Sequence, residues 1–363
     1  MKYGNEIFQN ISDKNHDSNL PILAITQEYG AIPRDLIDYK ISVTDKSIES
    51  YKVVQKGDFI ISLRSFQGGI EYSEYKGICS PAYIILRPSI VIDNIFYKYY
   101  LKTPKYITHL NRKLEGIRDG KMISYKYFSD ITLPLPSLEE QNKISIFLSL
   151  IETRIHTQRK IIEQLETLMK GNLEKIFCQK LRFKDNEGNY FSNWKSMKLH
   201  EICEIKKGEQ LNKDDLTKTG NYPCLNGGMN YSGYTDNFNS DENTITISEG
   251  GNSCGFVSFM KSKFWLGGHC YKVILKKDIS TIFFFHLLKF HEQEIMNLRV
   301  GSGLPNIQQK DLKDLKLLVS NDSEEQSKIA HFLSSNEEKI ETEKKILAQY
   351  ELQKKYLLAT LFV

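Results

Sequence analysis

Apolar residues recur at intervals of three and four in two long stretches of the chain, residues 139–177 and 324–362. This spacing predicts two long α-helices. A few polar residues interrupt each apolar stripe, a pattern typical of coiled-coil seams, so we expect the helices to pack on each other. The alternative is that each helix packs only on its own domain. The seam residues are Ile144, Leu148, Ile151, Ile155, Ile162, Leu165, Met169 and Ile176, and then Ile329, Leu333, Ile340, Leu347, Tyr350, Leu357 and Leu361.

The two stretches are copies of each other at an offset of 185 residues, with 18 of 39 paired positions identical. Such similarity indicates an internal duplication. Ser137 and Asp322 can cap the first helical turns, and Glu140 and Glu325, three residues later, can complete capping boxes. About 40 helical residues at 1.5 Å each form a rod of roughly 60 Å. Two antiparallel rods predict a pseudo-twofold frame with a domain at each end.

A second apolar stripe flanks each seam. Because one partner helix covers only a narrow seam, we expect the flanking stripe to bind further partners. It comprises Phe147, Ile161, Leu168, Leu173, Phe332, Ile346, Leu358 and Phe362.

The rest of the chain predicts two domains of mixed α/β (α+β) class. They cover residues 1–136 and 178–321, and the repeated helices cover 137–177 and 322–363. Short β-rich runs bounded by glycine and polar turns predict the strands. The candidate strands are residues 58–64 and 82–87 in the first domain, and 243–248, 271–276 and 315–320 in the second. The domains share this layout while their loops differ, which suits a fixed frame whose two ends recognise different things.

Composition narrows the class of protein. A chain of 363 residues suits two domains of about 130–140 residues plus extra helix. It has neither a signal-peptide pattern nor a run of 18 apolar residues, so we expect a soluble, cytoplasmic protein without a membrane span. Six cysteines without a C-x-x-C pair indicate reduced, mostly buried thiols. A net charge of +4 permits contact with phosphates without demanding it.

Several phrases carry a family resemblance. They are LPLPSLEEQNKISIFLSLIETRI, SNDSEEQSKIAHFLSSNEEKI, FWLGGHCY, NYPCLNGGMNYSGYTDNFNSDENTITISEGGNSCGFV and GDFIISLRSFQGGIEYSEYKGICSPAYIILRP. They resemble the specificity subunits of type I restriction-modification systems, and the similarity runs through nearly the whole chain in the order typical of that family. The resemblance implies two target-recognition domains, each binding one half of a split DNA site, with the paired helices setting the separation. It also implies that two methyltransferase subunits and then restriction and translocase subunits assemble on those helices.

The first domain departs from this pattern at its start. The second domain opens with residues 181–196, whereas the first begins at MKYGNEIFQNISD without a counterpart of that segment. Three interpretations stay open: a naturally short version, an alternative start codon, or the loss of the strand and helix that normally close the first domain.

Catalytic motifs are missing from the sequence. A DNA methyltransferase needs a glycine-rich cofactor loop and an Asn/Asp-Pro-Pro-aromatic motif, and ATP-driven translocation needs a P-loop. None of these occurs, and the glycines at 250–251 and 301–303 are too few for a nucleotide fingerprint. His286 and His291 are five residues apart, one more than a helical metal pair requires. We therefore expect a non-catalytic subunit without metal or cofactor, whose partners supply the chemistry.

Polar loops at strand ends are the candidate contacts to double-stranded DNA. Glycine allows close backbone approach to a phosphate, and Arg, Lys, Asn and Gln distinguish base edges. The first-domain candidates are Arg64, Ser65, Gln67, Arg118 and Lys121. The second-domain candidates are Lys206, Lys207 and Gln210 for phosphates, and Asn230, Tyr231, Tyr234, Asn252 and Ser253 for base edges or stacking. Gly250, Gly251, His269 and Tyr271 fit a scaffold better, because motifs shared among readers of different sequences cannot encode the difference.

Two other functions stay open from the residues alone. The chain fits a helical adaptor with two domains that bind protein or carbohydrate. The salt dependence of the binding affinity distinguishes this alternative from a DNA-binding protein, whose affinity for DNA falls steeply as the salt concentration rises. An enzyme with a hidden nuclease centre is the third interpretation, although no acidic–lysine cluster in a strand context supports it.

Overall fold

The computed structural model describes residues 1–16, 19–37, 48–63, 65–112, 123–276, 278–301, 303 and 305–362, without the side chains of residues 66 and 213. The chain forms two compact units. Unit 1 contains Met1–Arg159 and Lys345–Val363, and unit 2 contains Lys160–Lys344. Each long helix therefore contributes one half to each unit. The domain boundaries drawn from the sequence stay a prediction.

Unit 1 contains a mixed domain built from short elements. They are β1 (Lys2–Tyr3), α1 (Gly4–Ile7), β2 (Phe8–Ile11), β3 (Leu23–Thr26), β4 (Gly30–Pro33), a 3-10 turn (Arg34–Leu36), β5 (Lys52–Val54), β6 (Phe59–Ile61), α2 (Ser65–Gly68), β7 (Glu71–Tyr72), β8 (Gly77–Cys79), β9 (Ile84–Pro88), α3 (Asn94–Tyr100), α4 (Pro104–Asn111), α5 (Tyr125–Ser129) and β10 (Thr132–Leu133). The first long helix, α6 (Leu138–Phe177), follows.

Unit 2 repeats this plan with longer strands. Its elements are β11 (Lys195–Lys198), α7 (Leu199–Ile202), β12 (Cys203–Lys207), a 3-10 turn (Lys213–Asp215), β13 (Tyr222–Leu225), β14 (Gly233–Thr235), β15 (Thr244–Ser248), β16 (Val257–Met260), β17 (Trp265–Leu266), β18 (Cys270–Leu275), α8 (Thr281–Phe290), α9 (Glu292–Asn297), α10 (Gln309–Lys313) and β19 (Lys316–Val319). The second long helix is α11 (Ser323–Thr360).

The central sheets of the two units have the same topology. Unit 1 has the order β2-β9-β6-β7 and unit 2 the order β12-β18-β15-β16, with antiparallel neighbours throughout. All five strands predicted from the sequence are present, with ends shifted by a few residues. Tyr72 and Phe259 occupy equivalent register positions, opposite Phe59 and Ile245. The duplication seen in the helices therefore extends to the frame of the domains.

The start of the chain bears on one of the three interpretations that the sequence leaves open, the loss of the closing strand and helix. β1 pairs with β10, as β11 pairs with β19, and α1 follows β1 as α7 follows β11. Glu6 accepts a hydrogen bond from the Tyr3 amide at 2.6 Å, and Glu201 accepts one from the Lys198 amide at the same distance. The closing strand and helix are thus present in unit 1. Residues 1–7 (MKYGNEI) correspond to residues 196–202 (SMKLHEI), and only Glu6/Glu201 and Ile7/Ile202 are identical, so the sequence alone does not reveal the match.

The helix starts confirm one capping box and correct the other. The Ser137 amide donates to Glu140 at 3.0 Å, and the Glu140 amide donates to Ser137 Oγ at 3.3 Å. Asp322 also caps its helix, since its carboxylate accepts the amides of residues 324 and 325 at 2.9 and 3.1 Å. The Glu325 carboxylate, however, does not accept a hydrogen bond from the Asp322 amide, so the second capping box is not formed. This buried Glu325 carboxylate accepts hydrogen bonds from Trp194 Nε1 at 2.8 Å and Ser320 Oγ at 2.6 Å.

Both long helices enter the core of each unit. In unit 1, Glu152 contacts Lys354 at 2.8 Å and Arg159 contacts Glu351 at 2.7 Å, so the helices run antiparallel. Leu148 and Phe362 join the unit 1 core, and Met169, Ile176, Ile329 and Leu333 join that of unit 2. Packing of the helices on each other and packing on a domain are therefore combined within each unit.

Five of the six cysteines are buried and all six are free, which confirms the expectation of mostly buried thiols. Burial raises the pKa of Cys79, Cys203 and Cys270 to about 12. Within the described ranges, no helix is long and apolar enough to cross a membrane.

Candidate nucleic-acid interface

Three loops of unit 2 meet at one end of its central sheet. Strand pairing places Lys207, at the end of β12, opposite Tyr271, and Ser248, at the end of β15, opposite Cys270. The loop after β13 joins them through Gly227, whose amide donates to Cys270 Sγ at 3.0 Å and whose carbonyl accepts Ser248 Oγ at 2.8 Å. This sheet end therefore gathers the loops that follow β13, β15 and β17.

Two glycines are required for this convergence. Gly227 has φ +84°, and a Cβ there would lie 3.0 Å from the Cβ of His269. A Cβ on Gly267 would lie 2.4 Å from Asn226 Oδ1. Side chains at either position would push the loops apart. The glycines of the segments NGG (226–228) and LGGH (266–269) therefore allow the loops to pack closely on each other.

Glu249 connects the loops to the strands beneath them. Its carboxylate accepts hydrogen bonds from Lys207 Nζ at 2.6 Å and from the Tyr271 hydroxyl at 2.8 Å. The same hydroxyl oxygen lies 3.0 Å from the Ile307 carbonyl oxygen, so the two acceptors share its single proton. Burial, with help from Glu249, raises the pKa of Tyr271. Sequence reasoning missed Glu249, although its place between a strand and two glycines was a usable signal.

The candidate base-contacting residues differ in exposure. Asn230, Tyr231 and Asn252 are exposed, whereas Tyr234 and Ser253 are half-buried. The Tyr231 and Tyr234 rings pack edge to face with centroids 6.2 Å apart. The three exposed residues therefore present solvent-accessible side chains in the loops after β13 and β15.

The candidate phosphate contacts are separated by the strand geometry. Successive side chains of a strand point to opposite faces. Lys206 lies 3.7 Å from Glu204 on one face, and Lys207 contacts Glu249 on the other. Gln210 lies beside Gly268: a Cβ added to Gly268 would lie 2.9 Å from Gln210 Oε1. Lys207 and Gln210 thus adjoin the loops, and Lys206 does not.

In unit 1, only two of the five predicted DNA contacts can be placed. Arg64, Arg118 and Lys121 lie outside the described residues. Ser65 is buried, and its Oγ accepts the Ser62 amide at 2.8 Å, so this hydroxyl holds the turn before α2. Gln67 is exposed.

A cleft of about 760 Å³ lies at the equivalent end of the unit 1 sheet. Strand β3 and the turn that follows it form one wall, and Ser62, Leu63 and Tyr83 form the other. Arg34 lines it as well and was missed by sequence reasoning, because the residue follows a strand that no pattern predicted. The two sheet ends therefore share a frame and carry different side chains.

Comparison with known proteins identifies the family. The family described as the type I restriction modification DNA specificity domain matches residues 2–167 and 191–352. The chain belongs to this family.

Individual relatives carry the same description in their names. A putative type I specificity subunit of Mycoplasma pneumoniae is 38% identical over 155 residues, which cover 42% of this chain and 41% of that protein. The chain thus spans about two fifths of that relative's length. The MjaVIII specificity subunit of Methanocaldococcus jannaschii is 26% identical over 349 residues, 88% of this chain and 80% of that one.

Solved structures of the family share the fold. The type I S subunit from Mycoplasma genitalium superposes with a TM-score of 0.66 over 100% of this chain and 95% of that chain, at 19% identity. A chain from a study of type I system assembly gives a TM-score of 0.59 at 16% identity, covering 99% of this chain and 96% of that one. The predicted arrangement of two mixed α/β domains with a pair of long helices is confirmed.

The predicted partner-binding residues of the chain differ in exposure. Phe147, Leu168 and Ile346 are exposed on the long helices. Ile161 and Leu358 are partly buried, Leu173 packs on the unit 2 core, and Phe332 packs on the Phe183 ring at 5.9 Å. Phe362 is buried against Phe96 and Tyr100, so its side chain is not available at the surface for a partner. The offset of 185 makes Phe147 and Phe332 equivalent, yet only Phe147 is exposed.

Equivalent helices join each domain to the long helices through a different pair of side chains. In unit 1, Tyr99 of α3 donates to Glu152 at 2.7 Å, and Lys354 pairs with the same carboxylate. Burial opposes ionisation there, but hydrogen bonds from Lys354 and Tyr99 lower the pKa of Glu152 to about 2. The carboxylate is thus held in its ionised form.

In unit 2, His286 of α8 occupies the position equivalent to Tyr99. The carboxylate is conserved as Glu337, equivalent to Glu152, whereas the position of Lys354 is taken by Met169. His286 Nδ1 lies 3.8 Å from Glu337, and neither ring nitrogen has a hydrogen-bond partner. Burial lowers the pKa of His286 to about 4 and raises that of Glu337. His286 is therefore a residue of the unit 2 core.

We expect His286 to make unit 2 sensitive to acid. An unfolded histidine takes up a proton near pH 6.5, whereas the folded one stays neutral to about pH 4. The unfolded state therefore binds more protons in this window, and up to about 3 kcal/mol of stability is lost as pH falls through it. The raised pKa of Glu337 acts in the opposite sense, but this side chain is 35% exposed and Lys261 and Lys289 lower its pKa.

Replacing the histidine tests this expectation. His286→Tyr introduces a hydroxyl like that of Tyr99, which contacts the carboxylate in unit 1. The free energy of unfolding of this variant should fall less between pH 6.5 and 4 than that of the wild type. Both tryptophans of the chain belong to unit 2, so denaturation followed by their fluorescence reports this unit. His331→Gln, at an exposed position of α11, is the control. An unchanged pH profile in His286→Tyr would show that another group carries the acid sensitivity.

Proposed function

We propose that this chain is the non-catalytic, DNA-reading subunit of a cytoplasmic type I restriction-modification complex, and that it recognises a two-part target. The observation that carries the proposal is the repeated unit, in which one sheet topology ends in two different sets of loops. A fixed frame with different ends suits recognition of two different half-sites. The loops at the sheet end of unit 2 read one half, and the cleft-bearing end of unit 1 reads the other.

The unit 2 loops have the chemistry for base recognition. Asparagine amides can bond two groups on an adenine edge, and tyrosine rings can stack or contact thymine methyl groups. Asn230, Asn252 and Tyr231 are exposed there, on loops that Glu249 and the glycines hold in place. Lys207 and Gln210, at the margin of the loops, suit phosphate contacts, which fix the register of a protein on the duplex.

We also propose that the long helices set the separation of the half-sites and carry the partner subunits. Two methyltransferase subunits, and after them the restriction and translocase subunits, are the partners that this family membership suggests. Exposed apolar residues on the helices, Phe147, Leu168 and Ile346 among them, suit such contacts. The adenine chemistry and DNA cleavage would then come from the partners, with no metal or cofactor held by this chain.

Lengthening both helices tests the ruler. Seven residues inserted after Arg159 and seven after Lys344 leave every contact inside the two units unchanged and preserve the phase of the seam. The insertions add about 10 Å, so the spacer should lengthen by at most about three base pairs, at 3.4 Å per base pair, while both half-site sequences stay the same. Mapping of methylated adenines in cells that express the complex measures this. A change of half-site bases with an unchanged spacer would contradict the ruler.

A further inference from the structure

In unit 1, positively charged groups surround the carboxylate of Glu152. Lys354 Nζ lies 2.8 Å from this carboxylate and Lys98 Nζ lies 3.6 Å from it. The Tyr99 hydroxyl donates a hydrogen bond to it at 2.7 Å. Two ammonium groups and one hydroxyl therefore hold the ionised carboxylate where α3 packs on the long helices.

The equivalent carboxylate in unit 2, Glu337, has lost both lysines. Met169 and Phe285 take their places, and both side chains are buried. Within the described ranges, no lysine or arginine nitrogen lies within 4.0 Å of the Glu337 carboxylate, whose neighbour is His286 Nδ1 at 3.8 Å. Burial raises the pKa of Glu337, whereas that of Glu152 is lowered. This difference is the expected response of a partly buried carboxylate to the loss of its cations.

A cavity of about 470 Å³ lies beside Glu337, and all its lining residues belong to unit 2. Met169, Phe285 and Ile340 contribute apolar surface, and each is at most 9% exposed. Glu337 and Glu341 contribute carboxylates. A ligand in this cavity therefore meets apolar side chains together with a carboxylate that has no cation.

Lysines also line the cavity, but they do not neutralise Glu337. Lys289 pairs with Glu292 at 2.5 Å, and Lys344 pairs with Glu166 at 2.5 Å. Lys170 is exposed to solvent. The ligand chemistry that Glu337 calls for is thus still a cation.

His286 supplies a second polar group for that cation. Its side chain is fully buried and, among the described residues, neither ring nitrogen has a hydrogen-bond partner. The neutral imidazole ring has one nitrogen that accepts a hydrogen bond. Because Nδ1 lies 3.8 Å from the Glu337 carboxylate, one ammonium nitrogen can lie at a hydrogen-bond distance of about 2.8 Å from both groups.

Glu341 adds a carboxylate for a second ammonium group. It follows Glu337 by one turn of α11, and side chains four residues apart on a helix lie about 5–6 Å apart. A four-carbon chain with an ammonium group at each end spans this separation. Lys261 lies 3.5 Å from Glu341, but the two side chains are 65% and 56% exposed. An ion pair this exposed contributes little, so a ligand can replace it.

We propose that the cavity of unit 2 binds a short aliphatic diamine, with one ammonium group between Glu337 and His286 and the other at Glu341. The first ammonium group takes the place that Lys354 Nζ occupies in unit 1. The alkyl chain lies against Met169, as the methylene chain of a lysine would at that position. One diamine binds per chain, and the proposal does not depend on DNA recognition.

Equilibrium dialysis of the full chain against labelled putrescine, at constant ionic strength, tests the site. The wild type should bind one putrescine, and Glu337→Gln should weaken binding at least about tenfold, because the neutral amide no longer attracts the ammonium group. Glu338→Gln is the matched control. It removes the same charge from the neighbouring, exposed position of α11 and should leave binding within about twofold.

Met169→Lys tests the site in a second way. The variant introduces into unit 2 the ammonium group that Lys354 supplies in unit 1, so it should compete with putrescine and weaken binding at least about tenfold. Tryptophan fluorescence shows whether unit 2 of this variant is folded, since both tryptophans belong to that unit. Putrescine should raise the denaturation midpoint of the wild type and leave that of Met169→Lys nearly unchanged.

Three results would overturn the proposal. Absence of binding by the wild type would show that the cavity takes no diamine. Unchanged binding by Glu337→Gln, or by folded Met169→Lys, would place the ligand elsewhere on the protein. An equal loss in Glu338→Gln would show a general attraction of the diamine to negative charge. Loss of binding in Glu337→Gln, with Glu338→Gln binding as the wild type does, supports the site.

Discussion

Alanine at Asn230, Tyr231 and Asn252 together should lower the affinity for the specific DNA target by at least about 100-fold, since each good base contact contributes about 1–3 kcal/mol. All three residues are exposed at the loop-bearing end of the unit 2 sheet, so their loss should leave the fold intact. Binding to a duplex without the target should change little, because phosphate contacts supply that affinity.

The comparison is made by fluorescence anisotropy with the assembled complex. Lys206→Ala is the matched control, since Lys206 projects from the face of β12 opposite Lys207 and should leave specific affinity within about threefold. If the triple variant binds its target as the wild type does, then these loops do not read the bases.

Replacing Gln326 by leucine should destabilise unit 2 by about 2–4 kcal/mol, because buried backbone groups without partners each cost about 1–3 kcal/mol. Gln326 is buried in the first turns of α11. Its Oε1 accepts the Ser280 amide at 2.8 Å, and its Nε2 donates to the Ser320 carbonyl at 2.9 Å. In the variant, the Ser280 amide and the Ser320 carbonyl lose their hydrogen-bond partner. Because Ser280 directly precedes α8, the start of that helix is destabilised as well.

Tryptophan fluorescence during denaturation measures this loss, because both tryptophans lie in unit 2. Gln141→Leu removes the equivalent bonds to Asp93 and Pro136 in unit 1 and should leave the fluorescence transition nearly unchanged. Ser335→Leu, exposed on the same helix as Gln326, is the second control. A change below about 0.5 kcal/mol in Gln326→Leu would show that this glutamine does not stabilise the junction.

The repeated helices were predictable because their signals are local. Periodicity and capping residues within four positions of each other set where a helix begins, and Ser137 and Glu140 behave as that rule expects. Glu325 departs from the rule because Trp194, 131 residues earlier in the chain, competes for its carboxylate. Such a partner is visible only after folding.

The candidate interface was predictable only in outline. Glycine pairs located the loops, and their close approach to Asn226 and His269 explains the glycines. The separation of Lys206 from Lys207, the burial of Ser65 and the role of Glu249 depend on strand register and loop anchoring.

Mapping of methylated adenines in cells that express this chain with candidate methyltransferase subunits tests the account most directly. We predict one motif made of two defined half-sites with an unspecified spacer, and exchange of residues 198–314 with those of a relative should change one half only. A continuous motif, or an exchange that alters both halves, would contradict the proposal of two independent readers on one frame.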